Sequence, residues 1–125
     1  MATSPSQILL QGSAARAAYG ITALLFPRQL AAAGGMSEDE VDLDARYINR
    51  LFGGRDLLVA GLTVAGVRAG NEDHAVKLNL VAEATDTIAL IEEMRSRGGL
   101  DRTLFIGLLF NLFGYATWIR ALRAA

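Results

Sequence analysis

Long apolar stretches separated by short polar segments divide the chain into four predicted helices. Ser4-Pro5 has the form of a helix start, and Pro27 is expected to end the first helix. Gly98-Gly99 closes the third helix, and Asp101 is positioned to cap the fourth. The predicted helices cover about residues 5–26, 38–69, 73–97 and 101–123. We therefore expect one all-α domain over residues 1–125, a four-helix up-down bundle that lies in a membrane.

The segment between the first two helices, Arg28 to Asp44, is predicted to be a connector with Gly34-Gly35 at its centre. Ser37 and Glu40 have the spacing of a capping box, in which the serine caps the helix and the glutamate reaches back. The pattern predicts a solvated acidic start for the second helix.

The second helix is centred on Leu51 to Val67, where the pair Arg55-Asp56 leads into eleven residues without charge. In lipid such a pair is costly to bury alone, so it marks the place where polar chemistry would enter the bundle. Small residues share one helical face and predict the close approach of another helix. They are Gly54, Gly61 and Ala65, and they face away from Asp56 and Thr63.

The third helix carries a polar stripe opposite an apolar side. The stripe contains Asn79, Glu83, Asp86 and Glu93, whereas Leu80, Val81, Ala84, Ile88 and Ile91 form the other side. In water this stripe would face solvent. In a membrane it must face inward, onto a cavity or a cationic partner.

The fourth helix has no charge from Thr103 to Ile119 and is apolar nearly all round. Such a helix is either surrounded by protein or in contact with lipid. Tyr115 and Trp118, followed by two arginines, resemble an interfacial anchor. Asn111 is expected to be the inward polar group.

The fourth helix, and after it Leu57 to Val67, favour the membrane interpretation, whereas the third helix and the modest mean hydropathy argue against it. Of 125 residues 52% are hydrophobic, mean hydropathy is +0.30 and net charge is −1, so there is no basic patch for nucleic acid. The absence of cysteine excludes disulfides and thiolate chemistry. The N-terminal segment lacks the basic region of a signal peptide, so we expect it to be retained. The predicted location is the cell membrane, with several passes.

The charged and polar groups of the four helices form the candidate site. Four residues are predicted to be catalytic if the protein is an enzyme: Asp86, Glu83, Arg55 and Asp56. Five are predicted to contact a ligand: Arg16, Arg46, Asn79, Asn111 and Trp118. An ion pair between Arg55 and either Asp86 or Glu83 would offset part of the cost of burial.

Two interpretations of these groups remain open at this stage. The first is a structural ion-pair network that fixes helix register. The second is a pocket in which two carboxylates in unequal surroundings act as acid and base. No metal site is predicted, because Glu83-x-x-Asp86 lacks the histidines of a di-metal bundle and His74 lies in a polar turn. No cofactor is expected.

Several short motifs resemble a known family. They are Phe26-Pro27, then Arg46 with Leu51-Phe52-Gly53-x-Arg55-Asp56-Leu57, then Ala84-x-Asp86. This pattern is similar to that of uncharacterised small bacterial and fungal membrane proteins with four predicted helices. The resemblance implies a membrane location and no particular activity.

The sequence predicts a small integral membrane protein that is an accessory or interaction subunit, or binds a small lipophilic ligand in its polar-lined core. One alternative is a membrane enzyme that carries out isomerisation, cyclisation or epoxide opening on an apolar substrate. A second alternative is a soluble all-α dimer whose fourth helix is buried in the partner. The expected partners are the lipid bilayer, a lipophilic molecule, and a second copy or a larger membrane complex.

Overall fold

The computed structural model describes residues 3–125, and within this range it is all-helical. It contains five α-helices and one 3₁₀ turn, Glu38–Glu40: α1 Pro5–Leu25, α2 Pro27–Ala33, α3 Leu43–Arg68, α4 Glu72–Arg97 and α5 Arg102–Ala124. The all-α prediction is confirmed. The prediction of a four-helix up-down bundle is wrong, because a fifth helix forms in the segment predicted to be a connector.

Pro27 accounts for the additional helix. It lacks the N–H that would continue α1, and its fixed φ suits the first position of a new helix. α1 therefore ends at Leu25, and α2 starts at Pro27 with a hydrogen bond from Leu30 N to Phe26 O of 3.0 Å. Pro27 and Ala31 are buried, and α2 packs against α1 and α3.

The predicted capping box at Ser37 and Glu40 is also wrong. These residues flank or lie in the 3₁₀ turn, where Glu40 N donates to Ser37 O. The N-cap of α3 is Asp42, whose side chain accepts from Ala45 N at 2.8 Å. Asp101 caps α5 as predicted, accepting from Leu104 N at 2.9 Å.

The largest contact between helices is that of α1 with α3, and it depends on two glycines. A Cβ on Gly20 would lie 2.7 Å from the carbonyl oxygen of Gly53, and a Cβ on Gly53 would lie 2.6 Å from that of Gly20. Neither position has room for a side chain, so the two backbones approach directly. α1 also packs on α5, and α4 packs between α3 and α5.

Both apolar and polar side chains are buried in the described part of the chain. Twelve hydrophobic residues are buried, and six of them, including Ile8, Leu9 and Val76, form one cluster between α1, α4 and α5. Six further buried residues are polar or charged: Ser13, Asp56, Thr63, Asn79, Glu83 and Asn111. Twenty-three large hydrophobic residues are exposed within residues 3–125, and they occur on all four long helices and in the segments between them. The interior therefore combines an apolar cluster with polar groups, and much of the exterior is apolar.

Two helices, α1 and α5, are long and apolar enough to cross a membrane. Four spans were predicted, so this finding corrects the count. The core helix of a soluble protein passes the same test of length and composition, but such a helix is mostly buried. Here only 28% of the most apolar 18-residue stretch of α1 is buried, and only 22% of the corresponding stretch of α5.

Candidate functional site

Five charged side chains from α1, α3 and α4 form one connected set of ion pairs, which we call the ion-pair chain. Negative and positive groups alternate along it in the order Glu83, Arg16, Asp56, Arg55, Asp86. Each arginine bridges two carboxylates, so no charge of the chain is left without an opposite partner.

Arg16 is the central cation of the chain. Its Nη1 lies 3.1 Å from Asp56 Oδ1 on α3, and its Nη2 lies 2.9 Å from Glu83 Oε1 on α4. All three side chains are 10% exposed or less. The guanidinium also lies over the Trp118 ring of α5, at 5.6 Å from the ring centroid, within range of a cation–π contact. One side chain of α1 thus contacts the three other long helices.

Glu83 accepts hydrogen bonds from three different side chains. Besides Arg16, Trp118 Nε1 donates to Oε1 at 3.1 Å and Asn111 Nδ2 donates to Oε2 at 3.0 Å. Gly114 makes room for this carboxylate, because a Cβ at that position would collide with it. Both oxygens of Glu83 are therefore occupied by hydrogen-bond donors.

A smaller set of neutral hydrogen bonds extends this site between α4 and α5. Thr87 Oγ1 is 2.8 Å from Asn111 Oδ1 and 3.1 Å from the Tyr115 hydroxyl. Asn111 thus bonds Glu83 through its nitrogen and Thr87 through its oxygen. This pairing uses the whole amide and fixes its orientation.

The other end of the ion-pair chain is closer to the surface. Arg55 donates to both oxygens of Asp86, at 2.6 and 3.1 Å, and to Asp56 Oδ1 at 3.2 Å. The side chains of Arg55 and Asp86 are 32% and 33% exposed. The Arg55 guanidinium also lies over the ring of Phe52, 5.3 Å from its centroid. Of the two partners predicted for Arg55, the structure pairs it with Asp86 and gives Glu83 to Arg16.

Two of the predicted ligand residues, Arg46 and Asn79, neither belong to the ion-pair chain nor form a side-chain hydrogen bond with it within residues 3–125. Asn79 donates to Thr63 Oγ1 at 2.7 Å and to Ala75 O at 2.8 Å, and forms a separate polar link between α3 and α4. Its Oδ1 is buried and has no hydrogen-bond partner within the described part of the chain. Arg46 is half-buried on the first turns of α3 and does not join the ion pairs seen in residues 3–125.

Trp118 and Tyr115 do not form the interfacial anchor predicted from sequence. Trp118 is 3% exposed and points toward Glu83, and Tyr115 bonds Thr87. A Cβ on Gly12 would lie 2.7 Å from Trp118 Cζ3. The indole therefore fits against α1 because Gly12 has no side chain. The position of Trp118 near the end of α5 is typical of a membrane interface, but its side chain lies on the face of α5 that is buried against Glu83.

The small-residue face of α3 also differs from the prediction. Gly54 and Gly61 have nothing within 4 Å of an added Cβ, and Ala65 is exposed. The glycine that allows close packing is Gly53. Asp56 and Thr63 are buried on the opposite side, as the helical pattern predicted.

The chemistry available to the carboxylates is limited by their partners. Glu83 and Asp86 each accept hydrogen bonds on both oxygens, and Asp56 shares one oxygen between two arginines. Two pockets open to the surface of the described residues, and neither has a member of the ion-pair chain in its wall. No group of three metal-ligating side chains is found within residues 3–125.

The chain has no match among models of protein families, curated proteins or solved structures.

Proposed function

We propose that this protein is a multi-pass integral membrane protein in which α1 and α5 cross the bilayer with α3 and α4 packed beside them, and that it acts as an accessory or interaction subunit. The observation that carries the proposal is the orientation of the polar stripe of α4. Asn79 and Glu83 are buried, Asp86 pairs with Arg55, and the opposite side of the helix is exposed. A helix with this pattern in water would turn its stripe outward.

The ion-pair chain supports this location. An unpaired charge at the centre of a bilayer is destabilising by about 3 kcal/mol or more, so charges there pair with each other and face the bundle interior. In the central parts of the helices, Arg16, Arg55, Asp56, Glu83 and Asp86 are the charged residues, and each is paired inward. The other charged residues lie toward the helix ends and in the connecting segments.

The exposed apolar residues support it as well. They include Leu58 and Leu62 on α3, Ile88 on α4, and Leu112 and Phe113 on α5. Because these residues point away from the bundle on several sides, the partner in a soluble dimer would cover only some of them. A bilayer contacts all sides at once, and apolar side chains are favourable there.

The role of the ion-pair chain in this proposal is to hold four helices in register. Its members bond to α1, α3, α4 and α5 within a single connected set, and hydrogen-bond donors occupy both oxygens of the two carboxylates predicted to act as acid and base, Glu83 and Asp86. A subunit without an open reactive group would act through its surface and its partners. The proposed role is therefore structural and interactive.

The proposal is tested by fractionation of cells that express the tagged protein. Membranes are washed first with high salt and then with alkaline carbonate, which releases peripheral proteins. We expect the protein to stay in the washed pellet and to be released by detergent. Recovery of folded protein in the soluble fraction would contradict the proposal, and a dimer of mostly buried α5 would then be the better account.

A further inference from the structure

A cavity of about 230 Å³ that is open to the surface on one side lies at the end of the bundle that carries α2, and no member of the ion-pair chain forms its wall. Its wall is formed by residues of α1, α2, α3 and α5 and by Met36 in the segment after α2. α2, the helix that the sequence pattern did not predict, thus has a structural consequence. It closes one side of a space between the long helices.

Three polar side chains from three different helices meet at this cavity. They are the Tyr19 phenol of α1, the Asn49 amide of α3 and the Thr103 hydroxyl of α5. None of these three side chains makes a hydrogen bond within residues 3–125, whereas the polar side chains around Glu83 are extensively bonded. Convergent polar groups without partners in a mostly apolar cavity are characteristic of a ligand site.

The rest of the wall is apolar and uncharged. It includes Leu30, Met36, Ile106 and Phe110, and no acidic or basic residue contributes to it. A charged ligand would lose its hydration here without gaining an opposite charge, which is strongly unfavourable. A neutral ligand with one oxygen would instead satisfy hydroxyl and amide groups that can both donate and accept.

We propose that this cavity binds a small uncharged lipophile that carries a hydroxyl or carbonyl oxygen, such as an alcohol, a phenol or a ketone. Its size follows from the volume. An apolar cavity of about 150 Å³ holds benzene, so 230 Å³ accommodates roughly ten non-hydrogen atoms. The oxygen would bond Tyr19, Asn49 or Thr103, and the carbon frame would contact Met36, Ile106 and Phe110.

This inference goes beyond the proposed accessory role and does not use the ion-pair chain. A bilayer would concentrate such compounds near the cavity, but binding can be measured on purified protein in detergent. Failure of ligand binding would leave the fractionation result untouched. A soluble protein could still bind the ligand, so the two proposals fail independently.

The methionines supply a local probe of binding. The chain has three, Met1, Met36 and Met94, and of these Met36 lies in the cavity wall. The test is a titration of ¹³C-methyl-methionine-labelled protein in detergent with 2-naphthol, followed by NMR. We expect the Met36 signal to shift saturably and the Met94 signal to stay in place. Equal shifts of both signals, or no saturable shift at Met36, would overturn the proposal.

Two related compounds test which chemistry is recognised. Naphthalene has the same frame without oxygen, and 2-naphthoate adds a negative charge. We expect naphthol to bind more tightly than either compound. Equal binding of naphthalene would remove the role of the polar groups, and tighter binding of naphthoate would show an anion site; both results contradict the assignment.

Tyr19→Phe removes one hydroxyl and keeps the ring. We expect it to weaken naphthol binding about two- to tenfold, the effect of one hydrogen bond, and to leave naphthalene binding unchanged. Tyr47→Phe is the matched control, because Tyr47 is exposed on α3 and lies outside the cavity wall. Equal effects of the two variants would contradict the proposed contact.

A second pair of variants tests the location by volume. Ala33 forms part of the wall, whereas its exposed neighbour Ala32 lies outside it. We expect Ala33→Leu to reduce naphthol binding at least threefold, because about three added carbons occupy part of the space. Ala32→Leu should leave binding unchanged. Full binding by Ala33→Leu would show that the ligand sits elsewhere.

Discussion

Trp118 donates its indole N–H to Glu83 at 3.1 Å and lies under the Arg16 guanidinium, so α5 contacts both ends of the same ion pair. The indole N–H satisfies the carboxylate and the ring face attracts the cation. This arrangement joins the most apolar helix of the chain to its most polar site. It explains why α5 packs on the bundle although only 22% of its most apolar stretch is buried.

Removal of the central cation should be the most damaging single change in the ion-pair chain. Arg16→Met would leave Asp56 and Glu83 buried with fewer partners, and we expect the free energy of unfolding to fall by about 3–5 kcal/mol. The measurement is denaturant unfolding in detergent. Arg55→Met should cost less, because Arg55 and Asp86 are one-third exposed and partly screened by solvent. Equal losses for the two variants would contradict the central position of Arg16.

Gly114 should not tolerate a methyl group. Gly114→Ala would push the Glu83 carboxylate away from Trp118 and Asn111, and we expect a loss of about 1–3 kcal/mol. Gly54→Ala is the matched control, because nothing lies within 4 Å of its added Cβ. That variant should be neutral or up to about 1 kcal/mol more stable, as expected for alanine in a helix. Thermal unfolding followed by the fluorescence of Trp118, the single tryptophan, compares the two. A stable Gly114→Ala protein would rule out the packing described for Glu83.

The hydrogen bond between Asn79 and Thr63 should be measurable by itself. Thr63→Val keeps the shape and removes the hydroxyl that accepts from Asn79, and we expect a loss of about 1–3 kcal/mol, since a buried amide donor loses a partner. Thr85→Val is the control, because Thr85 is exposed and bonds only its own helix. That change should stay within about 0.5 kcal/mol of zero. Similar values for both threonines would argue against a link between α3 and α4 at this point.

The N-cap residue of α5, Asp101, should make the stability of the folded protein depend on pH in the acid range. The Leu104 N–H, followed by the Arg97 guanidinium, holds the pKa of Asp101 below its usual range. A carboxyl whose pKa is lowered on folding contributes stability above its unfolded pKa, and this stability is lost as pH falls through the folded pKa. Asp101→Asn keeps the capping geometry without the charge, so it should unfold at a lower temperature than the wild type at neutral pH. The difference should shrink below about pH 4 and vanish at lower pH. A difference that does not change with pH would show that the charge has no role.

The helical pattern predicted that Asn79, Glu83 and Asp86 share one face of α4, and it predicted the inward position of Asn111, because periodicity places residues on a face without knowledge of the partner. Whether the stripe faces solvent or the interior was left open; Asn79 and Glu83 are buried, whereas Glu93 of the same stripe is exposed and pairs with Arg97. The pattern also predicted that Arg55 would pair with a carboxylate of α4.

The central role of Arg16 was beyond this kind of argument. Arg16 is surrounded by alanines in the sequence, and its partners lie 40 and 67 residues away. The direct approach of α1 to α3 at Gly20 and Gly53 brings Arg16 to Asp56, and the packing of α4 against α3 and α5 brings Glu83 to the same place.

The errors have similar physical causes. The sequence pattern predicts that Pro27 ends the first helix, but a proline is equally suited to the first position of the next helix, and it has that position in α2. Trp118 was assigned to a membrane interface from its position near the end of α5, although its side chain faces Glu83. Gly54 and Gly53 are neighbours in sequence on different faces of α3, and composition alone could not show which one meets another helix.

The central claim, that the apolar exterior faces lipid, is tested most directly by single cysteines in this cysteine-free chain. Phe113 in the middle of α5 and Leu43 at the start of α3 are 71% and 72% exposed in the isolated protein. Phe113→Cys and Leu43→Cys are treated with a membrane-impermeant maleimide, in membrane fragments open on both faces and after denaturation in detergent. We expect both cysteines to react after denaturation. In membranes we expect the cysteine at position 43 to react and the cysteine at position 113 to be protected by lipid. Equal labelling of the two positions before denaturation would show that the exterior of α5 faces water and would contradict the account.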